Sequence, residues 1–276
     1  MLSDYAQRVF KPNRVVISGG NVGHDELLSL AQKYFKFDNG GEQDTGVILT
    51  SKIPGVEVAF KPDASANDKP AKYVGGEIHE DSVDQLAYAA FVTEGPGLNK
   101  PKDLITMQLV QQVIGVEPHI KWSAGQNASE LSKAAAGVAQ NPFAVSGVAF
   151  CHADSSLSGF SVVSHAKDLP NILKAGLEVL RGKSGVDEKR LQAAKNRLIS
   201  SILMAHESSA DSVLDAAVQA SASGNVLSAN EAIKIVEKVS LSEIIALAKK
   251  SLSSKPTLAA VGNLSHCPRL DELVAK

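Results

Sequence analysis

The turn sequence Gly262-Asn263-Leu264-Ser265-His266 closely matches Gly20-Asn21-Val22-Gly23-His24, and the two align without a gap. Each copy follows a short apolar run, at residues 13–18 for the first and 257–261 for the second. A helical pattern of apolar residues follows each turn. Because a repeated strand–turn–helix pattern marks duplicated units, these sequences predict that the chain contains parts of two similar domains.

The duplication predicts where the domains lie. Residues 1–37 are expected to be the terminal strand and helix of a truncated first domain, and residues 72–276 a complete second domain. Residues 38–71 are predicted to be a linker, because Gly and Pro recur there at a density typical of irregular structure. Two units of equal length would require further residues ahead of Met1.

The second domain has the pattern of an α+β fold. Strands are predicted at 73–80, 85–94, 143–152, 159–165 and 257–261. Helices are predicted at 102–114, at 128–138, after a cap at Asp168, over 187–221, and after the capping boxes Ser228-x-x-Glu231 and Ser240-x-x-Glu243. Strand 85–94 is apolar on both faces, which predicts that it is covered on both sides. The order favours a layered fold, a mixed or antiparallel sheet with helices mainly on one face.

Composition excludes several classes of partner. The 276-residue chain has a formal net charge of −2 and 5 % aromatic residues, so neither nucleic acid nor an anionic membrane surface is expected to be its main partner. No run approaches the roughly 18 apolar residues of a membrane helix, so any membrane association is expected only through partner subunits. Two cysteines in a chain of this length favour a reducing compartment.

Some polar pairs could be read as reactive sites. Cys151-His152 with Asp154 could hold a metal or a nucleophile, but adjacent strand residues point to opposite faces. A buried thiol beside a surface imidazole is therefore predicted. Ser164-His165 has no Gly-x-Ser-x-Gly elbow to support a triad.

The remaining polar motifs have simpler interpretations. His266-Cys267 lies in the repeated turn, where a solvated or capping role is expected. Asn127-x-Ser129 matches a glycosylation acceptor, which matters only on the secretory route. Lys249-Lys250 is predicted to favour the dipole of a helix end.

Five segments in order along the chain share the pattern of a known family. They are 71–78 (Ala-Lys-Tyr-Val-Gly-Gly-Glu-Ile), 115–121 (Gly-Val-Glu-Pro-His-Ile-Lys), 192–196 (Gln-Ala-Ala-Lys-Asn), 206–209 (His-Glu-Ser-Ser) and the closing turn 262–266. Together they resemble the core-2-type subunits of the mitochondrial cytochrome bc1 complex, a non-catalytic branch of the pitrilysin-type (M16) zinc peptidases. Residues 13–16 and 20–22 are similar to the last strand and helix of the first half in that family.

The resemblance implies a location and a set of partners. It implies two tandem domains on the matrix side of the mitochondrial inner membrane, in a complex that moves electrons from ubiquinol to cytochrome c. The implied partners are a homologous core-1-type subunit, cytochrome b and cytochrome c1. It implies no cofactor, since such a subunit binds no haem, quinone or iron–sulfur cluster itself.

The zinc motif of the active relatives, His-x-x-Glu-His on a helix, has no copy in this chain. His79 is followed at the required places by Ser82 and Val83, and His206-Glu207 would need a His where Ala210 stands. The family keeps this motif in its first domain, and its second domain supplies an Arg and a Tyr toward substrate. The corresponding residues 131–146 contain neither. We therefore predict a structural subunit with no catalytic, cofactor-binding or metal-binding residues.

Two alternatives remain. The chain could be a substrate-recognising subunit or fragment of a mitochondrial processing peptidase, which would favour a glycine-rich substrate loop. The comparable loop, 115–126, contains only Gly115 and Gly125. A free-standing bacterial relative is the more distant alternative.

Overall fold

The structure is a computed structural model that describes residues 15–35, 48–49, 56–59, 72–116, 129–182 and 185–274, with 48–49 and 56–59 described as backbone only. The strands in these ranges are β1 Ile17–Gly20, β2 Ile48–Leu49, β3 Val56–Ala59, β4 Gly76–Asp81, β5 Leu86–Pro96, β6 Ala144–Cys151, β7 Ser155–His165 and β8 Thr257–Gly262. The helices are α1 His24–Tyr34, α2 Pro101–Ile114, α3 Glu130–Ala136, α4 Leu169–Leu180, α5 Glu188–Ala205, α6 Ser209–Ser223, α7 Ala229–Lys238, α8 Leu241–Ser253 and α9 Leu270–Val274.

The chain divides into two compact units. One comprises residues 1–70 and 199–234, and the other residues 71–198 and 235–276. The residues 199–234, which the sequence places in the second domain, thus group with β1 to β3. Most of the predicted linker, 38–71, lies outside the described residues, so the boundaries 1–37, 38–71 and 72–276 stay predictions.

The first unit contains a three-stranded antiparallel sheet in the order β1-β3-β2. Helix α6 packs on it because Ala216 and Ala220, spaced four apart, form a small apolar stripe. Both alanines are fully buried, with Val16 and Val213 packed against them. Small side chains here allow the helix to approach the strand closely.

The second unit is built on a five-stranded mixed sheet in the order β4-β8-β5-β7-β6. Only the β4–β8 pair is parallel, and the other three pairs are antiparallel. Register places Phe91 of β5 beside Phe160 of β7 and Leu258 of β8, and the two rings stack with centroids 5.8 Å apart. The predicted layered α+β fold is confirmed.

Helices α3 and α4 cover the face of the sheet that contains these rings. Helix α4 buries Leu169, Ile172, Leu173 and Leu177, the one-sided spacing of an amphipathic helix. Each such leucine stabilises the fold by about 1.5–3 kcal/mol relative to an exposed one. The core of this unit therefore lies between one face of the sheet and α3 and α4, and α2, which buries Met107 and Leu109, packs on β5, β6 and β7 as well.

The opposite face of the sheet is only partly covered by described residues. The prediction that strand 85–94 is covered on both sides is therefore wrong at Tyr88, whereas Val92 on the same face is buried. Ala87 is fully buried, whereas its neighbour Tyr88 is 44 % exposed. Ile78 of β4 and Val261 of β8 are exposed as well. An alternation of alanine with larger apolar residues does not by itself distinguish a covered face from an open one.

The single helix predicted over 187–221 is two helices, α5 and α6, so five helices rather than four lie between β7 and β8. The break falls at residues 206–208. Ser208 caps α6, because its hydroxyl accepts a hydrogen bond from the backbone N–H of Asp211 at 3.3 Å. Ser-x-x-Asp is an N-terminal helix signal, which the apolar periodicity on both sides concealed.

The repeated turns share their order of elements but differ in conformation. Each connects a strand to a helix, β1 to α1 and β8 to α9. In the first copy Asn21 has a positive φ of 60°, whereas in the second the positive φ of 112° belongs to Gly262. Helix α9 begins at Leu270, four residues beyond the match of α1's first residue. The predicted strand–turn–helix order is confirmed in both copies, and the turns themselves have diverged.

Of the helices in the described ranges, none combines the length and the apolar character that crossing a membrane requires.

Candidate functional site

A cluster of polar side chains lies where β4 meets the turn before α9. The Glu77 carboxylate accepts hydrogen bonds from the backbone N–H of Leu270 at 2.8 Å and from Arg269 Nη1 at 3.0 Å. The bond from Leu270 is the main reason that the pKa of Glu77 is lowered. His79 Nε2 lies 4.0 Å from Glu77 Oε2, the oxygen that accepts the hydrogen bond from Leu270. Glu77 therefore fixes the start of α9, a contact across the sequence that local motifs could not predict.

Cys267 lies in the same turn with a half-buried thiol. Burial, and then the charge of Glu77, raises its pKa above the ordinary value of 9.0. A thiol held in its protonated form at neutral pH is a poor nucleophile and a poor metal ligand. The expected solvated role fits the exposed His266 but not Cys267, because the Cys267 thiol packs against the hydrophobic core and donates to the Pro268 carbonyl at 3.7 Å.

His206 connects the two helices at the α5–α6 break. Its Nδ1 lies 2.8 Å from the carbonyl oxygen of Ile202, and its Nε2 lies 3.8 Å from Asp215 Oδ2. The same Asp215 oxygen accepts a hydrogen bond from Gln219 at 2.7 Å. His206 thus belongs to a network within one helix pair.

In the described part of the chain, no group of three His, Cys, Asp or Glu side chains could hold a metal ion.

Cys151 and His152 lie at the end of β6. Burial raises the pKa of the half-buried Cys151 thiol, while His152 is exposed. The backbone N–H of His152 donates to the carbonyl of Ser155 at 2.9 Å, which closes the tight β6–β7 hairpin. The imidazole is exposed as predicted, whereas the thiol, which was predicted to be buried, is only half-buried.

Ser164, His165 and Asp168 do not form a triad. The Ser164 hydroxyl donates to the backbone carbonyl of His165 at 3.2 Å instead of to a ring nitrogen. The Asp168 carboxylate accepts three hydrogen bonds, from the backbone N–H groups of Gln140 and Asn141 and from Asn141 Nδ2, all within 3.3 Å. The prediction that Asp168 caps α4 is thus wrong for its side chain, which makes no cap hydrogen bond and holds residues 140–141 instead.

Other sequence candidates have structural roles or lie outside the described residues. Ser129 caps α3, since its hydroxyl accepts from the N–H of Ser132 at 3.0 Å. Lys250 lies in the last turn of α8, as predicted. Asn127 and most of the loop 115–126 lie outside the described residues.

A small cavity lies between the sheet and helices α2 and α8. It has room for about one water molecule, about 20 Å³. Its polar lining is already engaged, because the Gln111 amide contacts the Ser158 hydroxyl and Thr93 Oγ1 donates to the Ser158 carbonyl at 3.2 Å. This cavity is too small for a peptide or an organic cofactor.

The partly open face of the five-stranded sheet is a further surface feature of this unit. Ile78 is 68 % exposed, and Val261 and Tyr88 are direct partners across β8 and β5. A run of exposed apolar side chains on a flat sheet is suited to packing and supplies no group for bond making. The sequence predicted the strands of this surface but not its exposure.

The comparison with family models gives a match over most of the chain. The model described as "Peptidase M16 inactive domain" matches residues 1–198, well over half of the chain. The chain belongs to the M16 peptidase family. The matched M16 region is one that is described as inactive.

The M16 relatives include subunits of two mitochondrial assemblies. The chain is 33 % identical over 271 residues to "Cytochrome b-c1 complex subunit 2, mitochondrial" of Rattus norvegicus, covering 98 % of the chain and 54 % of the relative. It is 24 % identical over 289 residues to "Mitochondrial-processing peptidase subunit alpha" of Caenorhabditis elegans, covering 99 % and 54 %. The chain therefore spans about half the length of the curated relatives it matches.

The M16 fold is also found in a solved assembly. A chain of "Complex III2 from Candida albicans, Inz-5 bound" matches with a TM-score of 0.73 at 15 % identity, over 92 % of this chain and 56 % of that one. At that identity the likeness shows the fold.

Proposed function

We propose that this chain is the C-terminal part of a core-2-type subunit of the mitochondrial cytochrome bc1 complex (complex III), and that its role is structural. The observation that carries the proposal is the match over 98 % of the chain to a subunit 2 of that complex. The subunit would support the assembly and stability of a complex that transfers electrons from ubiquinol to cytochrome c. It would lie on the matrix side of the inner membrane.

The side chains support a role in packing. Glu77, His206 and Asp168 each bind groups of the chain itself and hold a helix start, a helix pair and a loop. The sequence has no His-x-x-Glu-His, and residues 131–146 have no Arg and no Tyr. The partners in this proposal are a core-1-type subunit, cytochrome b and cytochrome c1, and the membrane is reached only through them. The boundaries 1–37, 38–71 and 72–276 belong to the same proposal.

Affinity purification from mitochondria tests the assembly. A tagged full-length protein that includes this chain should co-purify with cytochrome b and cytochrome c1, and the cytochromes should be visible by their reduced-minus-oxidised absorption spectra. A matched purification of an unrelated tagged matrix protein is the control. Recovery of the tagged protein without cytochromes would contradict the proposal.

A second candidate is a substrate-recognising subunit of a mitochondrial processing peptidase, which the 24 % identity over 99 % of the chain favours. Binding of a fluorescent presequence peptide to the full-length protein distinguishes the two. The structural role predicts no binding above that of a scrambled peptide of the same charge. Saturable, sequence-dependent binding together with recovery of a peptidase partner would establish the second candidate instead.

A further inference from the structure

We draw no further inference here: the strongest candidate, the open apolar face of the five-stranded sheet around Ile78, Tyr88 and Val261, is an unpartnered surface, and nothing in the described part of the structure shows what covers it.

Discussion

At the scale of single residues, Asp168 shows how a buried charge can organise a loop. Its side chain is 4 % exposed, and burial alone would raise its pKa. The hydrogen bonds from Asn141 and Gln140 outweigh that effect, so the pKa is lowered overall. A carboxylate with three donors is stabilised in its charged form, and removing it leaves those donors unpaired.

Asp168→Ala should therefore lower the free energy of unfolding by about 2–3 kcal/mol, measured by urea unfolding at pH 7. The folded-state pKa lies below the ordinary value of 3.8, so the contribution is full above that pH and is lost as the pH falls below it. Asp103→Ala, in the exposed first turn of α2, is the matched control and should cost well under 1 kcal/mol. Equal losses in the two variants would contradict this assignment.

Glu243 connects two helices through one carboxylate. It completes the capping box of α8 with Ser240, and it accepts a hydrogen bond from Lys102 Nζ, near the start of α2, at 2.7 Å. The bond from Lys102, followed by those from Ser240, lowers the pKa of Glu243 to about 2. Because this pair is partly exposed, its contribution should stay below about 1 kcal/mol despite the large shift.

Lys102→Met should reduce stability at neutral pH and lose that effect in acid. The pKa of Glu243 is lower in the folded state than its ordinary 4.5, so the contribution is full above about pH 5 and disappears as the pH falls toward 2. Unfolding free energies of the wild type and the variant at several pH values measure the convergence. Lys249→Met, on the exposed side of α8, should show a difference that does not change with pH. A constant difference for Lys102→Met would disprove the linkage.

At the scale of secondary structure, α4 and the sheet come closest at Gly176. A Cβ built on this residue would lie 2.5 Å from Cε2 of Phe160, whose side chain is fully buried and has no room to move. Helix propensity alone favours Ala over Gly by about 1 kcal/mol. Overpacking a fixed aromatic ring costs more, about 1–3 kcal/mol.

Gly176→Ala should therefore destabilise the protein, by about 1 kcal/mol or more after the gain in helix propensity, as measured by thermal and urea unfolding. Gly137→Ala at the end of α3 is the matched control, because its Cβ would meet the Ala134 and Lys133 oxygens at ordinary contact distances of 3.5 and 3.7 Å. That control should be neutral or slightly stabilising. If both substitutions stabilise the protein, the close packing of α4 on Phe160 is not a constraint.

The elements that sequence predicted well are those with local signals. Both capping boxes form, since Ser228 and Ser240 exchange hydrogen bonds with Glu231 and Glu243. Helix α2 begins one residue before its predicted start, at Pro101, which suits a first turn. The break at residues 206–208 is harder to predict, because apolar helical patterns lie on both sides of it. The strand predicted over 73–80 begins three residues later, as β4 at Gly76, because Gly75 forms a turn with a φ of 66°.

At the scale of the whole molecule, the strands of the sheet could be predicted from the sequence. The contacts between distant segments could not. The bonds from Glu77 to Leu270 and from Asp168 to Asn141 join residues with no local relation. The exposure of Tyr88 depends on what lies above the sheet, which an apolar pattern does not encode. The grouping of residues 199–234 with β1 to β3 is likewise a property of the folded chain.

Chelation tests the proposal that the protein has no catalytic metal. Treating the full-length protein with 1,10-phenanthroline should leave its melting temperature unchanged, because the proposal assigns no zinc to its stability. Elemental analysis of the purified protein is the companion measurement. Stoichiometric zinc, with peptidase activity that the chelator removes, would overturn the structural role.

Strand β8 lies between β4 and β5, although in the described residues β6, β7 and seven helices separate it from β5 along the chain. During synthesis, β4 therefore has no neighbour on its β5 side until Thr257–Gly262 has left the ribosome. Sheets that close through such distant pairings fold slowly and depend on late contacts. A nascent chain interrupted before Thr257 would retain the β5–β7 and β6–β7 pairings but leave β4 unpaired, a natural substrate for quality-control proteases.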